Sequence, residues 1–169
     1  ELASVFNALG AHTAINLGSQ GYQEAGVRAK GVLAGMLEVN HCVEGADFSP
    51  TLTDLQAGGG AFAPKPAMRD SKKADLVALF RGSGNSCGIG YLPSDPYKPT
   101  SGDAAYAFSA TGVDCVTNHS VAHEMGHNQG MYHDRFVELP APKKDYNFGY
   151  VNTGPQIPSI MAYADACSN

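Results

Sequence analysis

The run HEMGHNQGMYHD, residues 123–134, decides how this chain is read. It sits in a longer stretch, HSVAHEMGHNQGMYHDRF (119–136), that gathers four of the chain's six histidines. On a helix, residues four apart share a face, so His123 and His127 project side by side, about 6 Å apart. Two imidazoles at that separation can hold one Zn²⁺ at about 2.0–2.1 Å each. Glu124 is turned about 100° around the axis from His123. It therefore stands beside such an ion instead of on it, placed to take a proton from a bound water. Gly130 lets the chain leave the helix sharply, and His133 then returns as a third nitrogen ligand. The fourth tetrahedral position stays open to water, the mark of a catalytic zinc. His119 lies eight residues before His127, about 12 Å along the axis, too far to share one ion. It is read, with His12 and His41, as a surface or packing residue.

The rest of the chain bounds what this motif can serve. At 169 residues it is long enough for one domain with a sizeable core. Hydrophobic residues make up 43% and charged residues only 16%, with 20 glycines and 10 prolines, which describes a turn-rich globular protein. A net charge of −5 argues against a nucleic-acid surface, because phosphate binding needs a basic face. No stretch approaches the ~18 apolar residues that span a bilayer. No charged start followed by an apolar run is present, so a mature form without signal or pro-segment is expected. Cys42, Cys87, Cys115 and Cys167 are not in C-x-x-C spacing. Two disulfides and a secreted protein fit them better than a cysteine–zinc site. Of the three pairings, Cys87–Cys115 with Cys42–Cys167 is favoured; four buried thiols are the alternative.

Along the chain, residues 3–24 have near-helical spacing and VRAKGVLAGMLEVN (27–40) reads as a strand with a glycine irregularity. GGG (58–60) and APKP (63–66) mark a long loop. ADLVALF (74–80) is a continuous apolar run of strand length, expected at the centre of a sheet with both faces covered. CGIGYL (87–92), next to PSDPYKP, suits an edge strand leaving the sheet, and AYAFSAT (105–111) gives a further strand. Thr117 or Asn118 is expected to cap a helix that runs to about Gln129.

A bare H-E-x-x-H arises on ordinary helix surfaces. The extended H-E-x-x-H-x-x-G-x-x-H has a chance of roughly 3 in 100,000 in a chain of this composition, with positions independent. It resembles the zinc motif of the metzincin metalloendopeptidases. The methionine that family places in a turn beneath the zinc is matched by Met161 in SIMAY. Asp134, after the third histidine, resembles the adamalysin/reprolysin-like branch, and the pattern is similar to the bacterial peptidyl-Asp metalloendopeptidases. The likeness is clear over residues 74–165 and faint before them.

The resemblance implies an α/β (α+β) metzincin-like fold. It would comprise a twisted mixed sheet with an antiparallel edge strand packed on helices, an active-site zinc helix, and a small irregular C-terminal subdomain. Residues 1–169 would be one catalytic domain, with 1–130 as the upper part and 131–169 as the lower part carrying the methionine turn. His123, His127 and His133 would bind zinc, Glu124 would be the general base, and Gly130 the turn between the two parts. Met161 would pack beneath the site, and Asp134 would anchor the lower part to buried backbone. Gly88, Ile89, Gly90, Tyr91 and Leu92 would form the strand to which an extended peptide adds. Tyr163 stands two residues after Met161, where other branches place a tyrosine that binds zinc or stabilises the oxyanion; packing alone is the competing role.

The implied function is a secreted, monomeric zinc endopeptidase acting on peptides and proteins, without nucleic-acid or membrane partners. A catalytically silent binding module of the same fold is the alternative, but such modules lose the glutamate or a ligand, and here all four residues are present. A zinc hydrolase of non-peptide substrates is a third reading, opposed by Met161 and the edge strand. Calcium has no Asp-rich loop in its favour. Arg69, Arg81, Arg135, Lys143 and Lys144 are candidate cations for an aspartate-directed pocket, none singled out by spacing.

Overall fold

A computed structural model describes residues 30–41, 45–138, 145–152 and 157–163, with single positions at 15, 16, 19, 20, 23, 28 and 154. The expected helix over 3–24 and the expected Cys42–Cys167 pair lie largely or wholly outside these residues.

The sheet that carries the site has three strands, β1 (Val77–Arg81), β2 (Gly88–Gly90) and β3 (Phe108–Gly112), in the order β1-β3-β2. β1 runs parallel to β3 and β2 antiparallel to it, so the sheet is mixed, with an antiparallel strand at one margin. Every residue of β3 is buried. Helix α1 (Ser49–Ala57) packs against it, as does α3 (Ser120–Asn128). Side chains of β1 divide by the two-residue period of a strand. Val77 and Leu79 join Leu52, Leu55, Phe62 and Phe108, while Phe80 joins Val116, Val121 and Met125. The sheet thus has two apolar layers, and the second is the underside of α3.

Four expectations are corrected. ADLVALF forms β1, whose two faces are covered as expected, but among the described strands it is marginal, and β3 is central because β1 bonds to one of its edges and β2 to the other. AYAFSAT becomes strand only from Phe108, since residues 101–106 form 3₁₀ turns. Residues 30–40 form no strand; Gly31 and Gly35 interrupt them, Val32, Met36 and Leu37 are exposed, and only Val39 of the segment packs against the first apolar layer. The expected loop at 58–66 is partly replaced by helix α2 (Lys65–Lys72). Pro66 does not prevent it, because a first-turn proline forfeits no helical hydrogen bond.

Two buried cations are structural. Lys65 donates its ammonium to Leu55 O (2.7 Å) and Gln56 O (3.1 Å), satisfying the last carbonyls of α1. Arg81 lies over Phe48 and donates to Gly45 O, Asp47 O and Thr51 Oγ1. Cys87 and Cys115 form a disulfide, as favoured, joining the start of β2 to the lead-in of α3.

Past α3 the described strands are short: β4 (Tyr132–Asp134) pairs in parallel with β5 (Phe148–Gly149), and β6 (Val151–Asn152) with β7 (Ile157–Pro158) antiparallel. Among the described residues no helix is long and apolar enough to cross a membrane.

Candidate active site

Helix α3 divides its residues between two duties. Val121 and Met125, four apart, face the second apolar layer, and His123 and His127, also four apart, face elsewhere. The cap is not Thr117 or Asn118 but His119, in the left-handed region at φ 68°. Asn118 Oδ1 accepts instead from the Ser120 hydroxyl (2.6 Å) and amide (3.3 Å), so a hydrogen-bonded turn precedes the helix. This leaves His119 exposed and outside the histidine cluster.

The helix ends in a Schellman turn. Gly130 N–H donates to His127 O (2.9 Å) and Met131 N–H to Gly126 O (3.0 Å). Gly130 has φ 88°, and a side chain there would also meet Pro96 at 3.0 Å, so both backbone and neighbour require glycine. The chain is thereby turned into β4, which carries His133. His123, His127 and His133 come together, with ligand atoms all within 4.8 Å of one another.

Each of the three imidazoles presents Nδ1 to an oxygen. His123 Nδ1 faces Ile160 O at 2.7 Å, His127 Nδ1 faces Met131 O at 2.9 Å, and His133 Nδ1 faces Glu138 Oε1 at 3.1 Å. Carbonyls and carboxylates accept, so these partners assign the single N–H of each neutral ring to Nδ1. Nε2 is then left as a lone pair on every ring. His127 Nε2 and His133 Nε2 stand 3.1 Å apart, where two lone pairs repel unless a cation lies between them. A tetrahedral zinc with bonds of about 2.0–2.1 Å would set neighbouring nitrogens about 3.3–3.4 Å apart. The donor set, its spacing and its outer hydrogen bonds therefore fit zinc.

Burial holds the His127 imidazole down to about 4, and burial likewise lowers His123, so both rings stay neutral and able to ligate. Glu124 is 6% exposed, and burial pushes its carboxyl up to about 8. It lies against β2: a Cβ on Gly88 would fall 2.7 Å from Glu124 Oε1, and one on Gly90 would fall 2.5 Å from Glu124 O. Glycines at 88 and 90 thus let the marginal strand touch the helix beside its acid. Asn128 fixes the same junction, its amide donating to Tyr91 O (2.8 Å) and Phe108 O (2.9 Å).

Met161 is 2% exposed beneath the helix. Its sulfur lies 2.5 Å from where a Cβ on Gly126 would be, which accounts for a glycine inside the helix. Asp134 is 1% exposed, and its carboxylate accepts from Phe136 N–H (2.9 Å) and Tyr163 N–H (3.0 Å). One buried acid thus ties the segment after His133 to the segment after Met161. The Tyr163 ring flanks the cluster, with its centroid 4.6 Å from that of His133 and 6.4 Å from that of His123. Of the candidate cations, Arg69 is spent on Ala74 O, Asp75 O and Ala104 O, and Arg81 as described. Arg135 lies over Phe148 in an open cleft with Phe136 and Tyr150. Lys143 and Lys144 lie outside the described residues.

Sequence reading missed Glu138, Asn128 and Gly126. Only Gly126 carries a signal, since an interior helical glycine costs about 1 kcal/mol and so points to a close neighbour.

Two helical histidines joined by a third from beyond a glycine turn define a class, the metallopeptidases of the extended histidine motif. Within it the chain belongs to the reprolysin-like M12B metallopeptidase family: residues 36–134, more than half of the chain, match the profile described as Metallo-peptidase family M12B Reprolysin-like. It is 31% identical over 151 residues to a peptidyl-Asp metalloendopeptidase of Pseudomonas aeruginosa, covering 82% of this chain and 24% of that protein. Two peptidyl-Asp metalloendopeptidases of Stenotrophomonas maltophilia are 28% and 29% identical over 150 residues, covering 86% of this chain and 34% of each. The chain therefore spans about a quarter to a third of the length of these curated relatives. A chain in a solved structure described as a chaperone–substrate complex has a similar fold, at TM-score 0.64 and 15% identity, covering 94% of this chain and 25% of that one.

Proposed function

We propose that this chain is the catalytic domain of a secreted, zinc-dependent endopeptidase, with residues 1–130 and 131–169 forming the two sides of its cleft. The observation that carries the reading is the convergence of three imidazoles, each with Nδ1 engaged by an acceptor, beside a buried glutamate at the foot of a marginal strand. His123, His127 and His133 would hold the zinc, which would supply Lewis acidity toward a water and a peptide carbonyl. Glu124 is the general base: its carboxylate takes the proton of the attacking water and returns it to the leaving nitrogen. Burial makes its carboxylate a strong proton acceptor, and a zinc held beside it would favour the ionised form from which it acts.

Substrate binding follows from β2. Cys87 O accepts from Gly112 N–H and Tyr91 N–H donates to Phe108 O, so residues 87, 89 and 91 bond to β3. By the alternation of an antiparallel ladder, Gly88, Gly90 and Leu92 turn their main-chain groups outward. An extended peptide can add there by backbone hydrogen bonds, which places its scissile carbonyl near Glu124. Tyr163 is assigned the developing negative charge on the carbonyl oxygen, and Met161 and Asp134 the support of the floor beneath. The names of the relatives extend the proposal to peptide bonds at aspartate.

Cleavage of a denatured protein, with and without a chelator, tests the reading. Proteolysis should vanish on chelation and return with zinc; activity indifferent to the chelator refutes it. Glu124→Gln should still bind zinc but lose about 10²–10⁴-fold in kcat. Tyr163→Phe should lower kcat and leave KM unchanged. Mapping the cleaved bonds by mass spectrometry checks the aspartate preference.

A further inference from the structure

We infer that Glu138 is a positioning residue for the metal centre: its carboxylate orients His133 and strengthens it as a ligand. The inference rests on the zinc reading above and deepens it.

The three outer hydrogen bonds are not alike. His123 and His127 give their N–H to neutral main-chain carbonyls, Ile160 O and Met131 O. Only His133 faces a side-chain carboxylate, Glu138 Oε1 at 3.1 Å. Nor are the three histidines held alike. Two ride on α3, whose backbone fixes where they point; the third follows the glycine turn on a three-residue strand. A ligand outside the helix needs its orientation from elsewhere. Tyr163 supplies one wall beside the ring, 4.6 Å between centroids, and Glu138 supplies the hydrogen bond.

The turn that brings Glu138 back is built for that end. Val137 N–H and Glu138 N–H both donate to Asp134 O, at 3.2 and 3.1 Å, and Phe136 N–H donates to the Asp134 carboxylate. Asp134 is 1% exposed, and its carboxylate is bonded to two amides. Its main chain and side chain together fold residues 134–138 into a loop that returns the glutamate to the ring two atoms from the ligating nitrogen. A carboxylate at Nδ1 draws on the N–H and raises the electron density at Nε2, so it strengthens the metal bond beyond what a carbonyl does. It also places a negative charge near a doubly charged ion that three neutral rings leave uncompensated.

The test is zinc affinity measured by competition with a chromophoric chelator, together with the visible spectrum of the cobalt-loaded protein. Glu138→Ala should weaken zinc 10–100-fold and alter the cobalt bands. Glu138→Gln, which keeps an acceptor but not the charge, should fall between wild type and Glu138→Ala in affinity and restore most of the cobalt spectrum. Glu38→Gln, a surface change, should match wild type. Zinc affinities within twofold of wild type and superimposable cobalt spectra in both Glu138 variants overturn the inference. If Glu138→Ala does not fold, the Glu138→Gln affinity and spectrum decide by the same criterion. His133→Ala separates the two levels: unchanged zinc binding in that variant removes the zinc reading itself, whatever Glu138 does.

Discussion

The two sides of Gly130 are built by different means. Before it, the described residues hold two buried apolar clusters, Leu52, Leu55, Phe62 and Phe108 in one and Val116 and Val121 in the other, with buried polar groups such as Lys65, Arg81, Ser109 and Thr111 beside them. After it, the described buried residues are Phe148 and Met161 with the polar Asp134 and Asn147. Asn147 donates to Gly130 O (3.0 Å), and Asp134 binds two amides. The first side joins clustered apolar area to its buried hydrogen bonds, whereas among the described residues the second has no such cluster and leans on a few directional bonds. Area is forgiving of small shifts, whereas a hydrogen bond fixes an angle. His133, the one histidine of the cluster on the second side, has such bonds around it.

This contrast can be broken from either side. The largest effect is expected at Leu52, 1% exposed in the first layer. Leu52→Ala should destabilise the fold by about 2–5 kcal/mol, measured by urea denaturation, with hydrogen exchange accelerated throughout β1 and β3. Asp134→Asn comes next, at about 1–3 kcal/mol, because an amide cannot accept from both Phe136 and Tyr163 without leaving a buried donor unpaired. Its exchange should quicken over 131–138 and 157–163 while β3 keeps its protection; equal loss in β3 would show that the two sides are not separately held. Gly126→Ala is the smallest. Helix propensity gains about 1 kcal/mol, but the Met161 sulfur must move from 2.5 Å, at about 1–3 kcal/mol. A net loss near 1 kcal/mol is expected, and a stabilised variant would remove Met161 as a fixed support.

The same contrast explains what could be read without coordinates. Histidines four apart, an acid between them and a glycine before the third are consequences of helical geometry, so the cluster was legible. The apolar run ADLVALF was legible as a strand but not as a marginal one. Its pattern says what it can bury, not which neighbour flanks it, and the truly central FSATG hides behind a buried serine and threonine. Lys65 was obscured by the prolines around it, which suggested a loop where they open a helix. Glu138 was invisible for another reason. Its return to His133 depends on a turn made by the carbonyl of Asp134, and no periodicity encodes a hydrogen bond to main chain.

The turn that ends α3 has one consequence more. Met131 donates its N–H to close the helix and, through its carbonyl, accepts the Nδ1–H of His127. Closing the last helical turn and selecting the tautomer of His127 therefore run through one residue. By linkage, the free energy of capturing a metal at this cluster would include that of folding the chain past Gly130. A metal held there would stabilise the turn past Gly130 as well as the cluster itself.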